Sequence, residues 1–332
     1  MKIAIIKLSA LGDIIHSMVV LQFIKNHNQN IEIDWVVEEN YSGLLDFHPS
    51  INKVHKINIK KSTKKTSVTM VISEIKKLRQ LDTYDLVIDM QGLIKSAIIS
   101  RFIPSKITLG FDKSSARESL ASIFYNKTFK FAYDKNVIER NFEIIKYALG
   151  LPFSVEEIRH KLAFLHSNQN LLDSKVSNIK KNIILVPGAS FLSKRYPVEK
   201  FAELVNLMDA NYLIIWGNEN EKILAEKIKK LAPSVKICEK LPLEALISLV
   251  AKVDLIIGPD TGPTHMGWAL NIPSITLFGP TPGYRNTIIT KYNKIIESES
   301  KVNSNNINKN DYSIACISAY KIKELAKSLL SE

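Results

Sequence analysis

An aspartate, two threonines and a histidine stand together in Asp260-Thr261-Gly262-Pro263-Thr264-His265, directly after the apolar run Val253-Asp254-Leu255-Ile256-Ile257-Gly258. The pattern predicts a buried strand, a tight turn and a helix start. Pro263 suits the first helical position, where a missing N–H costs nothing, and Gly262 lets another group come close to the backbone. Free N–H groups at such a helix start attract phosphate, and the Thr261 and Thr264 hydroxyls and the His265 ring would add donors on the same side. The stretch reads as a diphosphate cradle. Lys194, in Ser193-Lys194-Arg195-Tyr196-Pro197, is a candidate to neutralise a departing diphosphate, or equally a solvated surface lysine. Glu221 is placed to accept hydrogen bonds from ribose hydroxyls, and Leu241 to pack, or bond through its backbone, near the nucleoside.

A second junction lies at the start of the chain. Lys2-Ile3-Ala4-Ile5-Ile6-Lys7-Leu8 reads as a strand and turns through Ser9-Ala10-Leu11-Gly12-Asp13 into a helix. A single glycine in this turn leaves out the G-x-G-x-x-G pyrophosphate fingerprint, which argues against a nicotinamide-dependent oxidoreductase. Asp13 sits where α/β folds open their clefts, at a helix start that favours negative charge. Read alone it is a helix cap. Read with the phosphate loop it is a general base. One reaction uses every part: a sugar leaves a nucleoside diphosphate held by the second half, and an acceptor hydroxyl, deprotonated by Asp13, attacks it with inversion. No acid cluster suggests a diphosphate-bound Mg²⁺, so neither a metal nor another cofactor is expected.

Four stretches together, Ser9-Ala10-Leu11-Gly12-Asp13-Ile14-Ile15-His16, Asp34-Trp35-Val36-Val37-Glu38-Glu39, Asp89-Met90-Gln91-Gly92-Leu93-Ile94-Lys95-Ser96 and Ala116 to Asn126, resemble the lipopolysaccharide heptosyltransferases, the group that adds the first heptose above all. Asp260-Thr261-Gly262-Pro263-Thr264-His265 and Phe278-Gly279-Pro280-Thr281 match the wider heptosyltransferase family, and the resemblance runs to about residue 285. It implies a GT-B fold, ADP-heptose as donor, and the inner Kdo of Kdo2-lipid A as acceptor, at the cytoplasmic face of an inner membrane. It puts the catalytic base on Asp13 and the diphosphate lysine on Lys194. The nucleotide loop falls on Asp260, Thr261, Gly262 and His265, the ribose carboxylate on Glu221, and the acceptor-binding basic residues on Lys60, Lys61, Lys64 and Arg117. The chain departs from the family in carrying lysines where arginines are common in the first-domain loop, and lysine cannot make arginine's bidentate fork. It departs again at Pro187-Gly188-Ala189-Ser190, where a threonine pair is common and only Ser190 keeps a hydroxyl. His16 follows Asp13 by one turn and either tunes it or packs locally. Trp216 and Trp268 read as core.

The elements that must position these groups alternate strand and helix throughout, the grammar of parallel α/β sheets. Strands are expected at Lys2–Leu8, Ile31–Val37, Val54–Ile59, Leu86–Asp89 and Ile107–Leu109, with helices near Ile14–Lys25, Val68–Leu81, Leu93–Arg101, Ser115–Tyr125 and Val137–Leu149. After a polar, irregular stretch the alternation resumes. Its strands are Asn182–Val186, Tyr212–Trp216, Val235–Cys238, Val253–Gly258 and Ser274–Phe278, and its helices Val198–Met208, Glu219–Leu231 and Leu243–Val250. This predicts two Rossmann-like domains facing one central cleft: an acceptor domain over 1–160, a nucleotide-sugar domain over 181–312, and a closing helix within 313–332 able to pack back towards the first.

The 332 residues fit two domains. No apolar run is long enough to span a bilayer and the first strand is no signal peptide. Two cysteines without metal-site spacing read as reduced thiols of a cytoplasmic protein. The net charge is +12, and Lys53–Arg79 holds nine Lys/Arg against one acid. Such a patch attracts a polyanion or is a solvated face. It lacks the interleaved aromatics and motifs of nucleic-acid readers, so an anionic membrane surface or acidic glycolipid is the expected partner, visited peripherally. The rival expectations are an enzyme adding the second heptose, and a non-enzymatic polyanion-binding protein.

Overall fold

Runs buried on both faces, as parallel strands require, build each half. The computed structural model describes residues 1–58, 68–168 and 175–331, without side chains for 68–72. The chain divides into two units, Met1–Phe164 and Leu165–Glu332. In the first, strands β1 (Lys2–Ile6), β2 (Glu32–Glu38), β3 (Lys53–Ile57), β4 (Tyr84–Asp89), β5 (Ser105–Phe111) and β6 (Lys127–Phe129) form a sheet of order β3-β2-β1-β4-β5-β6. All its pairings are parallel, with Ile6 opposite both Val36 and Asp89. Its helices are α1 (Leu11–Met18), α2 (Val20–His27), α3 (Val68–Arg79), α4 (Ile94–Phe102) and α5 (Val137–Leu149). Helix α5 is bounded by an Asn136 cap, whose side chain accepts from Ile138 N, and by Gly150 in the left-handed region.

The second unit repeats the plan. Strands β7 (Asn182–Leu185), β8 (Asn211–Ile214), β9 (Lys236–Ile237), β10 (Leu255–Pro259), β11 (Ser274–Phe278) and β12 (Asn293–Glu297) run β12-β11-β10-β7-β8-β9, again all parallel. Helices α6 (Val198–Leu207), α7 (Glu219–Leu231), α8 (Leu243–Val250), α9 (Gly262–Leu270), α10 (Gly283–Asn286) and α11 (Ala319–Ser331) connect or cover them. Ile183, Leu185, Ile257 and Leu277 share one core with Phe201 of α6 and with Ile322, Ala326 and Leu329 of α11. Each Ile, Leu or Phe side chain among them contributes about 1.5–3 kcal/mol on full burial. The closing helix therefore packs on α6 within its own unit.

Renumbered from their own starts, both sheets have the strand order 3-2-1-4-5-6, which reverses direction between the first and fourth strands. Ligands of open parallel sheets bind beyond the carboxyl ends of the strands at that reversal. It lies between β1 and β4 in one unit and between β7 and β10 in the other. Those ends carry Asp13 and Gly92 in the first unit, Gly188 and Asp260 in the second.

Three expectations changed. The stretch Ser115–Tyr125 is not an α-helix: a turn leads into a 3₁₀ segment, Ser119–Phe124, because side chains on both sides are claimed elsewhere. Glu118 Oε2 accepts from Ile94 N at 2.7 Å, and Tyr125 donates its hydroxyl to Asp89 at 2.7 Å. Strands β6 and β12 also lie where no strand was expected. The boundary between units falls at 164/165. Up to it the expected irregular stretch holds a 3₁₀ turn, Val155–His160, that buries Ile158 completely.

Candidate active site

The first crevice is knitted from two loops. Gln91, after β4, accepts through Oε1 from Leu8 N at 3.1 Å and Ser9 N at 3.3 Å, after β1. Lys7, almost wholly buried, donates from Nζ to Met90 O at 2.8 Å. Burial pulls its pKa down, against the pull of the Asp13 and Asp89 carboxylates. Asp13 stands half-buried in the first turn of α1, and its Oδ2 accepts from Ala10 N at 3.1 Å. The capping role that the sequence allowed is therefore present. It uses one carboxylate oxygen, and Oδ1 has no partner among the described residues.

Gly92 holds a backbone φ of +68°, a conformation that glycine adopts without strain. Its turn is fastened by the buried Asp89 carboxylate, which accepts from Gln91 N, Gly92 N, Ser96 Oγ and Tyr125 Oη. Burial pushes the Asp89 pKa up despite these donors. Glu118 N donates to Gly92 O at 3.2 Å, so Arg117 is held beside the turn with an exposed side chain. Asp13 and Arg117 thus share the carboxyl end of the first sheet. Lys60, Lys61 and Lys64 lie outside the described residues. His16 is buried, at 3% exposure.

The second crevice has Asp260 at its centre. Its carboxylate emerges from β10 and is surrounded: Oδ2 accepts from Lys194 Nζ at 2.7 Å, Thr281 Oγ1 at 3.0 Å and Asn286 Nδ2 at 3.0 Å, while His265 Nε2 lies 2.9 Å from Oδ1. Burial alone would raise its pKa. The Lys194 ammonium and the His265 ring more than reverse that and hold it well below the ordinary carboxylate range. Both oxygens are spent on protein donors, so Asp260 organises the cluster and offers a phosphate nothing directly. Two like charges would in any case repel. Lys194 is fixed, at 8% exposure, in the 3₁₀ turn Leu192–Lys194, which comes after β7.

Beside it is the amino end of α9. Thr261 caps that helix with extended backbone and no side-chain cap bond, which leaves its hydroxyl uncommitted to the helix, and Pro263 occupies the first turn as expected. Gly262 is buried between Thr261 and Pro263, which are both half-buried. Thr264 differs from expectation: its hydroxyl is turned inward, 2.7 Å from where a Cβ on Gly258 would lie, so it does not project from the helix tip.

Farther along the same edge, Glu221 accepts through Oε2 from Gly217 N at 2.7 Å. A Cβ on Gly188 would stand 2.4 Å from the Glu221 carboxylate carbon, so this glycine lets the carboxylate lie against the loop after β7. Ser190 is exposed on that loop, and Leu241 is half-buried after β9. Trp216, expected in the core, is only half-buried and donates from Nε1 to Cys238 O at 2.8 Å, while Trp268 is buried. The structure therefore brings Ser190, Lys194, Glu221, Leu241, Asp260, Thr261, Gly262 and His265 to one edge of the second sheet. Sequence reasoning missed Asn286, which lacks any local signal, and Lys7, whose interrupted apolar run was the one hint. Among the described residues no three His, Cys, Asp or Glu side chains are grouped to hold a metal ion. Among them, too, no helix is long and apolar enough to cross a membrane.

Comparison with known proteins adds to this geometry. The family model of glycosyltransferase family 9 (heptosyltransferase) matches residues 71–313. The chain is similar to lipopolysaccharide heptosyltransferase 1 of Campylobacter coli, 39% identical over 347 residues with all of both chains covered. It is 29% identical over 290 residues to the Escherichia coli K12 enzyme of that name, covering 85% of this chain and 89% of that one. Among solved structures, E. coli heptosyltransferase WaaC with ADP superposes with a TM-score of 0.82 at 26% identity, over 99% of this chain and 100% of that one.

Proposed function

The chain belongs to glycosyltransferase family 9, the heptosyltransferases, and from that premise we propose that it moves L-glycero-D-manno-heptose from ADP-heptose onto the inner Kdo of Kdo2-lipid A, with inversion at the anomeric carbon. Its two sheets are those of a GT-B glycosyltransferase, and the relatives named heptosyltransferase 1 support the first-heptose step in lipopolysaccharide core synthesis. The observation that carries the reading is the Lys194 ammonium, clamped by Asp260 next to the amino end of α9, where no side-chain cap bond is made. A fixed cation next to backbone donors suits a diphosphate whose charge grows as it departs.

In this mechanism the adenosine lies along the ends of β8 and β9, its ribose hydroxyls on Glu221 and its base near Leu241, with Ser190 towards the phosphates. Asp13 takes the proton from the acceptor hydroxyl, whose oxygen forms the new bond to the heptose anomeric carbon. The bond from that carbon to the β-phosphate oxygen breaks, its electron pair leaving with ADP. Lys194, the α9 N–H groups and the Thr261 hydroxyl stabilise the leaving charge, and His265 holds Asp260 in place. Arg117, with Lys60, Lys61 and Lys64, meets the acidic acceptor. The protein works at the cytoplasmic face of the inner membrane, attached peripherally to its anionic surface, and needs no metal.

Incubation with ADP-heptose and Kdo2-lipid A, read by mass spectrometry, tests this: one added heptose is expected, and undiminished in EDTA. Product only from an acceptor already bearing one heptose would assign the second step instead. Salt-sensitive RNA binding with no thermal shift on adding ADP would favour a polyanion-binding protein.

A further inference from the structure

The 3₁₀ segment Ser119–Phe124 holds two large apolar side chains in solvent, Leu120 at 59% exposure and Ile123 at 72%. In a 3₁₀ turn residues three apart project from the same side, so the two form one apolar face. Single exposed hydrophobics are ordinary on protein surfaces. This pair differs because the turn that bears it is tied down on every other side. Ala121 is fully buried, Glu118 bonds Ile94 N and Gly92 O, Tyr125 donates to the buried Asp89, and Asn126 N donates to Thr108 O at 3.1 Å. The fold thus fixes Leu120 and Ile123 outward. In the chain on either side of them Lys113, Arg117, Lys127 and Lys130 are all exposed. The two acids of that stretch are engaged with backbone, Asp112 with the Ser114 and Ser115 N–H groups and Glu118 as above. An apolar knuckle flanked along the chain by exposed cations matches the chemistry of an anionic bilayer surface, with charged headgroups outside and hydrocarbon beneath.

We propose that Ser119–Phe124 is the membrane-entry point of the first unit, with Leu120 and Ile123 inserting into an anionic leaflet beside the acceptor-facing Arg117. This rests on the reading above that the acceptor is a membrane glycolipid, and it names where the chain meets that membrane. The turn lies next to the Gly92 loop, so insertion brings Arg117 to headgroup height.

The test compares wild type with the Leu120→Ser/Ile123→Ser double variant. Flotation with phosphatidylethanolamine–phosphatidylglycerol vesicles should show at least about a tenfold loss of bound protein, the expected worth of partly burying two such side chains. Wild-type binding should fall with added salt and be weak on pure phosphatidylcholine vesicles. The melting temperature, and the rate with a soluble acceptor lacking acyl chains, should stay within twofold or a few degrees of wild type, because both side chains are exposed. Equal flotation of the two proteins overturns the proposal. So does a wild-type dimer that the double variant turns into a monomer, since the face then covers a second copy. A wild type that floats normally yet transfers nothing to the soluble acceptor would instead strike the functional reading beneath.

Discussion

Removing the Lys194 ammonium interrogates the Asp260 cluster directly. In Lys194→Met the carboxylate keeps Thr281, Asn286 and His265 but loses the cation 2.7 Å away. A buried charge that loses its ion partner costs about 3–5 kcal/mol, and the lower end applies here because three partners remain. For a unit the size of Leu165–Glu332, a loss of about 3 kcal/mol lowers Tm by about 6–12 °C. Asp260→Asn should cost less, about 1–2 kcal/mol, because the amide oxygen still accepts a hydrogen bond from the Lys194 ammonium. The Lys194→Met/Asp260→Asn double variant should then be about 2 kcal/mol more stable than the sum of the singles, a coupling readable from urea unfolding. The pH dependence has a fixed sign. The Asp260 pKa is depressed in the folded state, so its contribution is complete above the ordinary carboxylate value of about 4 and drains away as pH falls below it. Wild type should lose stability below about pH 4 more steeply than Asp260→Asn. Single-variant losses that add to within about 0.5 kcal/mol would refute the clamp.

Other perturbations follow from the same geometry. Gly188→Ala drives its Cβ into the Glu221 carboxylate, the mobile end of a half-buried side chain. Folding should change by under about 1 kcal/mol while ADP affinity, by calorimetry, falls about tenfold if the carboxylate holds the ribose. Lys7→Met removes a buried cation faced by Asp13, Asp89, Arg117 and Arg140. Met90 O then loses the donor that ties the loop after β4 to β1, so stability by urea unfolding should fall by about 1–3 kcal/mol. Arg117→Ala should raise the acceptor KM several-fold without altering ADP affinity, checked by initial rates.

Much of this was legible in the chain, and the gaps have causes. Buried parallel strands read as unbroken apolar runs, so β1, β7, β10 and β11 stood out, whereas the order of the strands within each sheet, set by pairing between distant segments, did not. Strand β6, Lys-Thr-Phe at the sheet edge, has no interior residue and exists through its pairing with Leu109–Phe111. Strand β12 is likewise secured from outside, by Asn293 donating to Ile272 O and Ser274 Oγ. At the site, Lys194 and the Asp260 loop were legible because phosphate chemistry restricts residue type. Their relation to each other was not, because 66 residues separate a carboxylate from the ammonium it clamps. Asn286 was missed for the same reason, joining Asp260 from beyond α9 and β11.

Proton removal by Asp13, with the nucleotide held by the second unit, is checked by single-turnover transfer in Asp13→Ala, with ADP binding measured on the same preparation. ADP affinity should stay within about threefold of wild type while the transfer rate falls by about 10²–10⁴. A variant that keeps more than about a tenth of the wild-type rate would remove Asp13 from the role of base.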